Sequence, residues 1–342
     1  MSKTALRTTE SSLDSLLTDL LQAVSRSFYL TLKVLPAAVR RPISIGYLLA
    51  KTSDTIADTN LVEASVREAS LNELARAIRG EAISCDFTSY LPHQTRSKER
   101  ELLDRTNESV ALLDAVDDEE CRLIRQVLEV IISGQRLDLQ RFRTGSPQNI
   151  VCLELDEELD DYTYRVAGCV GEFWTRICSK NLIADGTAPP SELIKSGIRF
   201  GKGLQLVNIL RDVSDDLRQG RCYLPKTALQ QAGIAPHELR LPSTSQQQIA
   251  PLFQHYARIA NEHLLAGWEY TNQLPWRWIR VRLACAWPIL IGFKTLESLP
   301  LHDPLNPERR AKISRRAVKF IIAKTLLAYP FPWFWRRLVH TK

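Results

Sequence analysis

Two sets of oxygen-bearing side chains stand out as groups that could do chemistry. "SDTIAD" places Asp54 and Asp58 one helical turn apart, shortly after the apolar run "ISIGYLLA", and "NILRDVSDD" steps Asn208, Asp212 and Asp216 at four-residue intervals. Residues i and i+4 share one face of a helix with Cβ atoms about 6 Å apart, and like charges there repel. Packing gains nothing from that arrangement. A divalent cation between the carboxylates reverses the sign, and Mg2+ suits the case because it takes one or two carboxylates and completes its shell with water and phosphate oxygens. Lys51, Arg211, Arg218 and Arg221 lie close in sequence to the two stripes and supply the positive charge that a diphosphate requires.

Spacing alone does not single these residues out. With 18 aspartates in 342 residues, chance gives about one D-x-x-x-D pair, and the chain holds four. Asp114/Asp118 and Asp156/Asp160 sit in the acidic stretches "LLDAVDDEE" and "ELDEELDD", where a solvated face or a helix start is the natural reading. The other two sets are embedded in apolar helical segments, and that context separates them.

The elements that position the stripes are expected to be helices throughout. Apolar residues recur at helical spacing almost everywhere, alternating strand patterns are rare and there are only 14 glycines, so the fold class is all-α. Leu13, Leu16, Leu17, Leu20, Leu21 and Val24 define a one-faced amphipathic opening helix. Pro42 suits the first turn of a helix running through Tyr47 to Asp58. Further helices are expected over 61–79, 97–115, 118–142, 152–180, 191–218, 246–272 and 278–298, with a last one in the C-terminal segment. No repeat period appears, and the connectors "RTGSPQN" and "LPSTSQQQ" read as loops, so one domain over 1–342 is expected, with its core at about 13–300.

Composition narrows the function classes. The seven cysteines are odd in number and form no C-x-x-C pair, which points to reduced thiols used as small apolar groups. The histidines are scattered, and His255 and His263 have no ligand pattern around them. The N-terminal stretch lacks the apolar core of a signal peptide, and "LACAWPILIGF" is too short to span a bilayer, so a cytoplasmic location is expected. Residues 309–342 hold ten Lys/Arg and no acid; taking those from the total of 45 leaves 35 basic against 39 acidic residues elsewhere. That tail, ending "KFIIAKTLLAYPFPWFWRRLVHTK", has the cationic and aromatic-aliphatic makeup of a segment suited to peripheral contact with an anionic membrane. Its charge would also suit nucleic acid, but no nucleic-acid motif accompanies it.

Four stretches together resemble a known family. "SRSFYLTLKVLP" (25–36), "GYLLAKTSDTIAD" (46–58), "YTYRVAGCVGEF" (162–173) and "GLQLVNILRDVSDDLRQGRCYLP" (203–225) are similar, in order and spacing, to the signature blocks of the squalene/phytoene synthase family. The resemblance covers about residues 13–300. It implies an isoprenoid-synthase helical bundle with a central apolar cavity, in which two prenyl diphosphates join head to head. Mg2+ ions held by Asp54 and Asp58, and by Asn208, Asp212 and Asp216, would face each other across the bundle and draw off diphosphate.

Further roles follow from the same likeness. An allylic cation needs a dry pocket and aromatic faces, and Phe28, Tyr47 and Tyr162 fall in the matching blocks, with Tyr162 beside the reacting carbons. Val166, Gly168, Val170 and Gly171 would line the tunnel. Ser27, Gln205, Lys51, Arg211 and Arg221 would bind substrate. Where the family usually has Arg, this chain has Lys51, which keeps the charge but loses the two-point grip on phosphate. Ala57 stands where many squalene synthases carry a further acid.

The tail bears on the product. Squalene synthases continue through a basic segment that resembles "AKISRRAVKF" (311–320), which implies NADPH phosphates held by Lys312 and Arg315 with Arg26, Lys51 and Arg211. No G-x-G-x-x-G unit is present. The expected activity is therefore squalene synthesis from two farnesyl diphosphates through presqualene diphosphate, with NADPH as reductant. The alternatives are an NADPH-independent synthase of dehydrosqualene, phytoene or presqualene diphosphate, and a non-catalytic membrane-associated assembly subunit. A scaffold would have no reason to keep repelling carboxylates.

Overall fold

The computed structural model describes residues 15–25, 28–183, 186–240, 246–299, 305 and 311–339. The principal helices are α1 (Ala37–Asp58), α2 (Ala64–Arg79), α3 (Asp118–Arg141), α4 (Asp156–Thr163), α5 (Cys169–Leu182), α6 (Ser191–Arg218), α7 (Gln246–Gln273), α8 (Ile279–Ser298), α9 (Arg315–Ala328) and α10 (Pro332–Arg336). Among the described residues the regular sheet is a parallel pair of two-residue strands, β1 (Val151–Cys152) and β2 (Arg221–Cys222). The chain is all-α, as its periodicity predicts.

Local chemistry sets the helix limits. α1 starts at Pro36, whose carbonyl accepts from the N–H groups of Val39 and Arg40, and Pro42 lies inside the helix rather than opening it. Pro36 wins because it takes the extended conformation of an N-cap, with φ −57° and ψ 147°. α2 stops at Gly80, which adopts φ 81° and donates to Ala77 O. α3 begins with three acids in its first turn, and Asp117 accepts from Glu120 N at 2.9 Å, so the Asp114/Asp118 stretch is a helix start. The expected 97–115 helix is broken into Ser97–Asp104, Thr106–Ala111 and a 3-10 turn at Leu112–Ala115.

The largest departure lies at 152–180, expected as one helix. It begins as strand β1, then runs α4, a π-helical turn at Tyr164–Gly168, and α5. The π-turn falls inside the "YTYRVAGCVGEF" stretch, and such turns are rare and concentrate at functional sites.

The chain forms two compact units within the span expected as one domain: Met1–Leu139 with Phe173–Pro189, and Gln140–Glu172 with Pro190–Lys342. In the first unit Leu16, Leu20, Ile45, Leu48, Leu71 and Leu102 are fully buried. In the second unit one apolar cluster joins α6 (Leu206, Leu210, Val213, Leu217) to α7 (Leu252, Tyr256, Leu264) and to Leu153, Leu224 and Leu229. That cluster holds the C-terminal half of α6, from Leu206 to Leu217, and so sets the orientation of its polar face there. The seven cysteines are all free thiols.

Candidate functional site

In the first unit the acid pair occupies the last two turns of α1. A helix C-terminus carries partial negative charge, so carboxylates there add to their mutual repulsion. Lys51 relieves part of it: its Nζ lies 2.6 Å from Asp54 Oδ2. Burial pulls the Lys51 ammonium down, but the charge and hydrogen bond of Asp54, aided by Asp58 and Glu99, outweigh it and hold the group above its ordinary value. Asp58 itself is exposed. The end of α1 is tied down by Arg67, a buried side chain whose Nη1 donates to Ala57 O at 2.6 Å and to Asn60 Oδ1 at 3.1 Å. Gln94 Nε2 adds a bond to Thr59 Oγ1 at 2.7 Å. One turn before Lys51, Tyr47 stacks on Phe28 with ring centroids 4.9 Å apart, so these two expected aromatics do meet.

In the second unit the stripe also occupies the end of its helix, α6. Arg211 clamps Asp212 with two parallel bonds, Nε to Oδ1 at 2.8 Å and Nη2 to Oδ2 at 2.7 Å. The hydrogen bonds it donates to Asp212 are the main reason the guanidinium is held above its ordinary value, against the effect of burial. Asn208, Asp212 and Asp216 are all half-buried. Arg218 is 3.4 Å from Asp215. The chain leaves α6 through Gly220, at φ 78°, where an added Cβ would lie 2.0 Å from Ser146 N. No other residue fits that turn without a backbone shift. It feeds Arg221 into β2, in register with Val151.

Tyr162 stacks on the buried Tyr223 at 4.5 Å, and Phe142 meets Tyr223 edge-on at 5.1 Å. Val166, Val170 and Gln205 are half-buried. The glycines expected at a tunnel wall also make close backbone approaches. A Cβ at Gly171 would lie 1.9 Å from Gly197 O, and one at Gly168 would lie 3.2 Å from side-chain atoms of Lys202 and Tyr164. Gly201 on α6 in turn approaches Ala167 O, where a Cβ would lie 2.1 Å away. These glycines let the π-turn and the start of α5 pack backbone to backbone against α6. That packing is itself a reason for Gly168 and Gly171 to be small.

The comparison pairs behave as surface. Asp114, Asp118, Asp156 and Asp160 are exposed, with Asp156 accepting from Tyr256 OH at 2.7 Å and Asp160 from Lys202 Nζ at 2.6 Å. Arg26 and Ser27 lie outside the described residues. Lys312 and Arg315 are exposed, just before and at the start of α9. Among the described residues no three His, Cys, Asp or Glu side chains converge as a ready-made metal site. Each stripe instead offers two carboxylates with hard oxygens, joined on α6 by an amide. That set fits Mg2+ whose remaining positions are filled by diphosphate and water, and does not fit a fully protein-caged ion.

Two features were not read from the sequence. Gln135, on α3, has a buried Oε1 with no hydrogen-bond partner, and its neighbour Arg136 is 3.8 Å from Glu68. The signal was available in "GQRLDL", where three polar residues interrupt an apolar helix. The other is the pair Cys152 and Cys222, aligned on β1 and β2. A hydrogen bond between them pulls Cys152 below and pushes Cys222 above the ordinary thiol value.

With fold and stripes in place, the relatives become informative. The sequence profile described as "Squalene/phytoene synthase" matches residues 21–317. The chain belongs to the squalene/phytoene synthase family. It is 28% identical over 208 residues to a probable squalene synthase of Neurospora crassa, covering 60% of this chain and 41% of that one. It is 30% identical over 220 residues to the 15-cis-phytoene synthase of Synechocystis sp., covering 63% of this chain and 56% of that one. The matched regions thus span about half the length of these curated relatives. The solved complex of TcSQS with the ligand BPH1237 superposes with a TM-score of 0.76 at 20% identity, covering 96% of this chain and 90% of that one. At that identity the likeness establishes the isoprenoid-synthase helical fold.

Proposed function

We propose that this protein is a head-to-head prenyltransferase and, within that class, a squalene synthase acting on two molecules of farnesyl diphosphate. The observation that carries the reading is the similar construction in each unit: a carboxylate stripe in the last turns of a helix, with a basic side chain bonded to one of its acids. Asp54 and Asp58, and Asn208, Asp212 and Asp216, would hold Mg2+. When bound, that ion supplies Lewis-acid neutralisation of the departing diphosphate.

The remaining work falls to the chain's own residues. Lys51, Arg211 and Arg221 orient diphosphate oxygens, Lys51 through a single point and Arg211 through a planar fork. The stacked pairs Phe28/Tyr47 and Tyr162/Tyr223 offer aromatic faces that stabilise positive charge without trapping it as a nucleophile. The Tyr162 hydroxyl, or an oxygen of the released diphosphate, accepts the proton lost on cyclopropane formation.

For NADPH, which supplies reducing equivalents when bound, Lys312 and Arg315 are exposed cations, whereas Lys51 and Arg211 are already bonded to stripe carboxylates. Likeness to a phytoene synthase at 30% identity favours a second reading in which no reductant is used. The two separate on one experiment: purified protein with farnesyl diphosphate and Mg2+, with and without NADPH, and the hydrocarbon identified. Squalene formed only with NADPH is the expected result. The same unsaturated product under both conditions selects the second reading, and no turnover of any prenyl diphosphate overturns both.

A further inference from the structure

Cysteines are spread along the whole chain, and the parallel pair β1/β2 sets two of them side by side. Val151 N donates to Gly220 O at 2.9 Å and Leu153 N to Cys222 O at 3.1 Å, which fixes the register with Cys152 directly opposite Cys222. Neighbouring strands lie about 4.8 Å apart, so the Cα atoms of opposite residues fall inside the roughly 4.4–6.8 Å that a disulfide spans. In a parallel pair, opposite residues also present their side chains to the same face of the sheet. The two sulfurs are in hydrogen-bond contact as they stand, with Cys222 as the donor.

The pair is unequal in access and in acidity. Cys222 is buried, only 2% exposed, whereas Cys152 is half-buried and open to solvent on one side of the short sheet. The bond donated by Cys222 pulls the Cys152 thiol below its ordinary value against the effect of burial. At other cysteines burial dominates: it pushes Cys85 up to about 11 and Cys169 up to about 12, and it raises Cys121 as well. Cys178 and Cys285 are closed off, each 1% exposed. Cys152 thus combines access with thiolate character, and the sulfur that can resolve its oxidation lies across the ladder.

We propose that Cys152 and Cys222 form an oxidisable dithiol, a modification site at which a small disulfide such as glutathione disulfide reversibly links β1 to β2. The Cys152 thiolate attacks one sulfur of the small disulfide, whose S–S bond breaks and releases one thiolate. Cys222 gives its proton to that thiolate, and its sulfur attacks Cys152, breaking the mixed S–S bond. The second thiolate released takes up the proton that Cys152 had lost. Two protein thiols are oxidised by two electrons, and one small disulfide is reduced to two thiols. Arg221 and Tyr223 flank Cys222, and Tyr223 carries the ring on which Tyr162 stacks, so the bond pins the backbone that presents both residues. It also closes a loop of about 70 residues that contains the whole of α6 with Asn208, Asp212 and Asp216. The inference is independent of the reaction catalysed.

The test treats the full chain with glutathione disulfide and digests it without reductant for mass spectrometry. The peptide holding Cys152 should be joined to that holding Cys222, with the mass of two hydrogens lost, and dithiothreitol should separate them. Oxidised protein should melt about 5 °C above the reduced form, and amide exchange should slow across 151–153 and 220–224. Cys152→Ser should leave Cys222 unmodified, whereas Cys222→Ser and Cys222→Ala should each stop at a glutathione adduct on Cys152, with unchanged circular dichroism and no rise in melting temperature. A glutathione adduct on Cys152 of the native chain that never resolves overturns the proposal. So does a link between other cysteines, or the same thermal shift in Cys222→Ala.

Discussion

The two acid stripes differ in how their cations hold them. On α1 a lysine three residues away touches one oxygen of Asp54, whose side chain is 46% exposed. On α6 the neighbouring arginine engages both oxygens of Asp212, whose side chain is 23% exposed. A point charge on a flexible stem can move to an incoming diphosphate at little cost, whereas the planar Arg211 fork must give up two bonds to do the same. The first module is therefore built for ready exchange of partners. The second is pre-formed and guarded, and its helix is locked by backbone contacts at Gly201 that α1 does not share.

The sharpest way to break this comparison is to neutralise each stripe in turn. Asp54→Asn and Asp212→Asn should each reduce kcat by at least about 1,000-fold, on the order of 4 kcal/mol, while circular dichroism stays unchanged. Helix loss in either variant would make that aspartate structural. Loss of turnover in only one would reduce the two modules to one.

Replacing the cations asks a finer question. Lys51→Ala should raise KM for the diphosphate about 10-fold and Lys51→Arg should stay within about 3-fold of native, because only charge is needed there. Arg211→Lys should cost about as much as Arg211→Ala, because the fork is what α6 uses. If Arg211→Lys is well tolerated, the difference between the modules disappears.

The smallest effect concerns acid. His263, whose Cβ lies 3.0 Å from where a Cβ on Gly203 of α6 would stand, is pushed down to about 4 by burial and then by the charges of Arg199 and Lys202, against Asp160 and Glu262. Below its ordinary value near 6.5 the unfolded chain binds a proton that the folded one refuses, so stability falls as pH drops from 6.5 towards 4. Allowing for solvent screening of the partly exposed ring, the loss is about 2 kcal/mol. Urea unfolding at pH 7 and pH 5 should show the loss, and His263→Gln should flatten it. An unchanged slope would remove His263 as its source.

Much of the helix plan was legible because an amphipathic helix writes its period into the sequence. The span expected at 191–218 coincides with α6, and that at 118–142 with α3 to within a residue. The broken region after residue 152 was not legible. Its apolar spacing suits a straight helix, and the strand and π-turn arise from contacts with Gly197, Gly201 and Gly220, which lie far along the chain. Gly171 shows the same limit: its small size was visible, but the carbonyl it makes room for was not.

The sequence by itself determined the helical class, the family and which carboxylates lie on one face of a helix, since all three depend on composition and on neighbours within a few residues. Tertiary structure decided what each side chain meets. Trp333 and Trp335 stand two residues apart in a tail that reads as uniformly basic and aromatic, yet one is exposed and the other buried against Trp268 and Asn272. Aromatic identity carries no inside or outside label; the partner that satisfies the indole N–H does, and that partner comes from a distant helix.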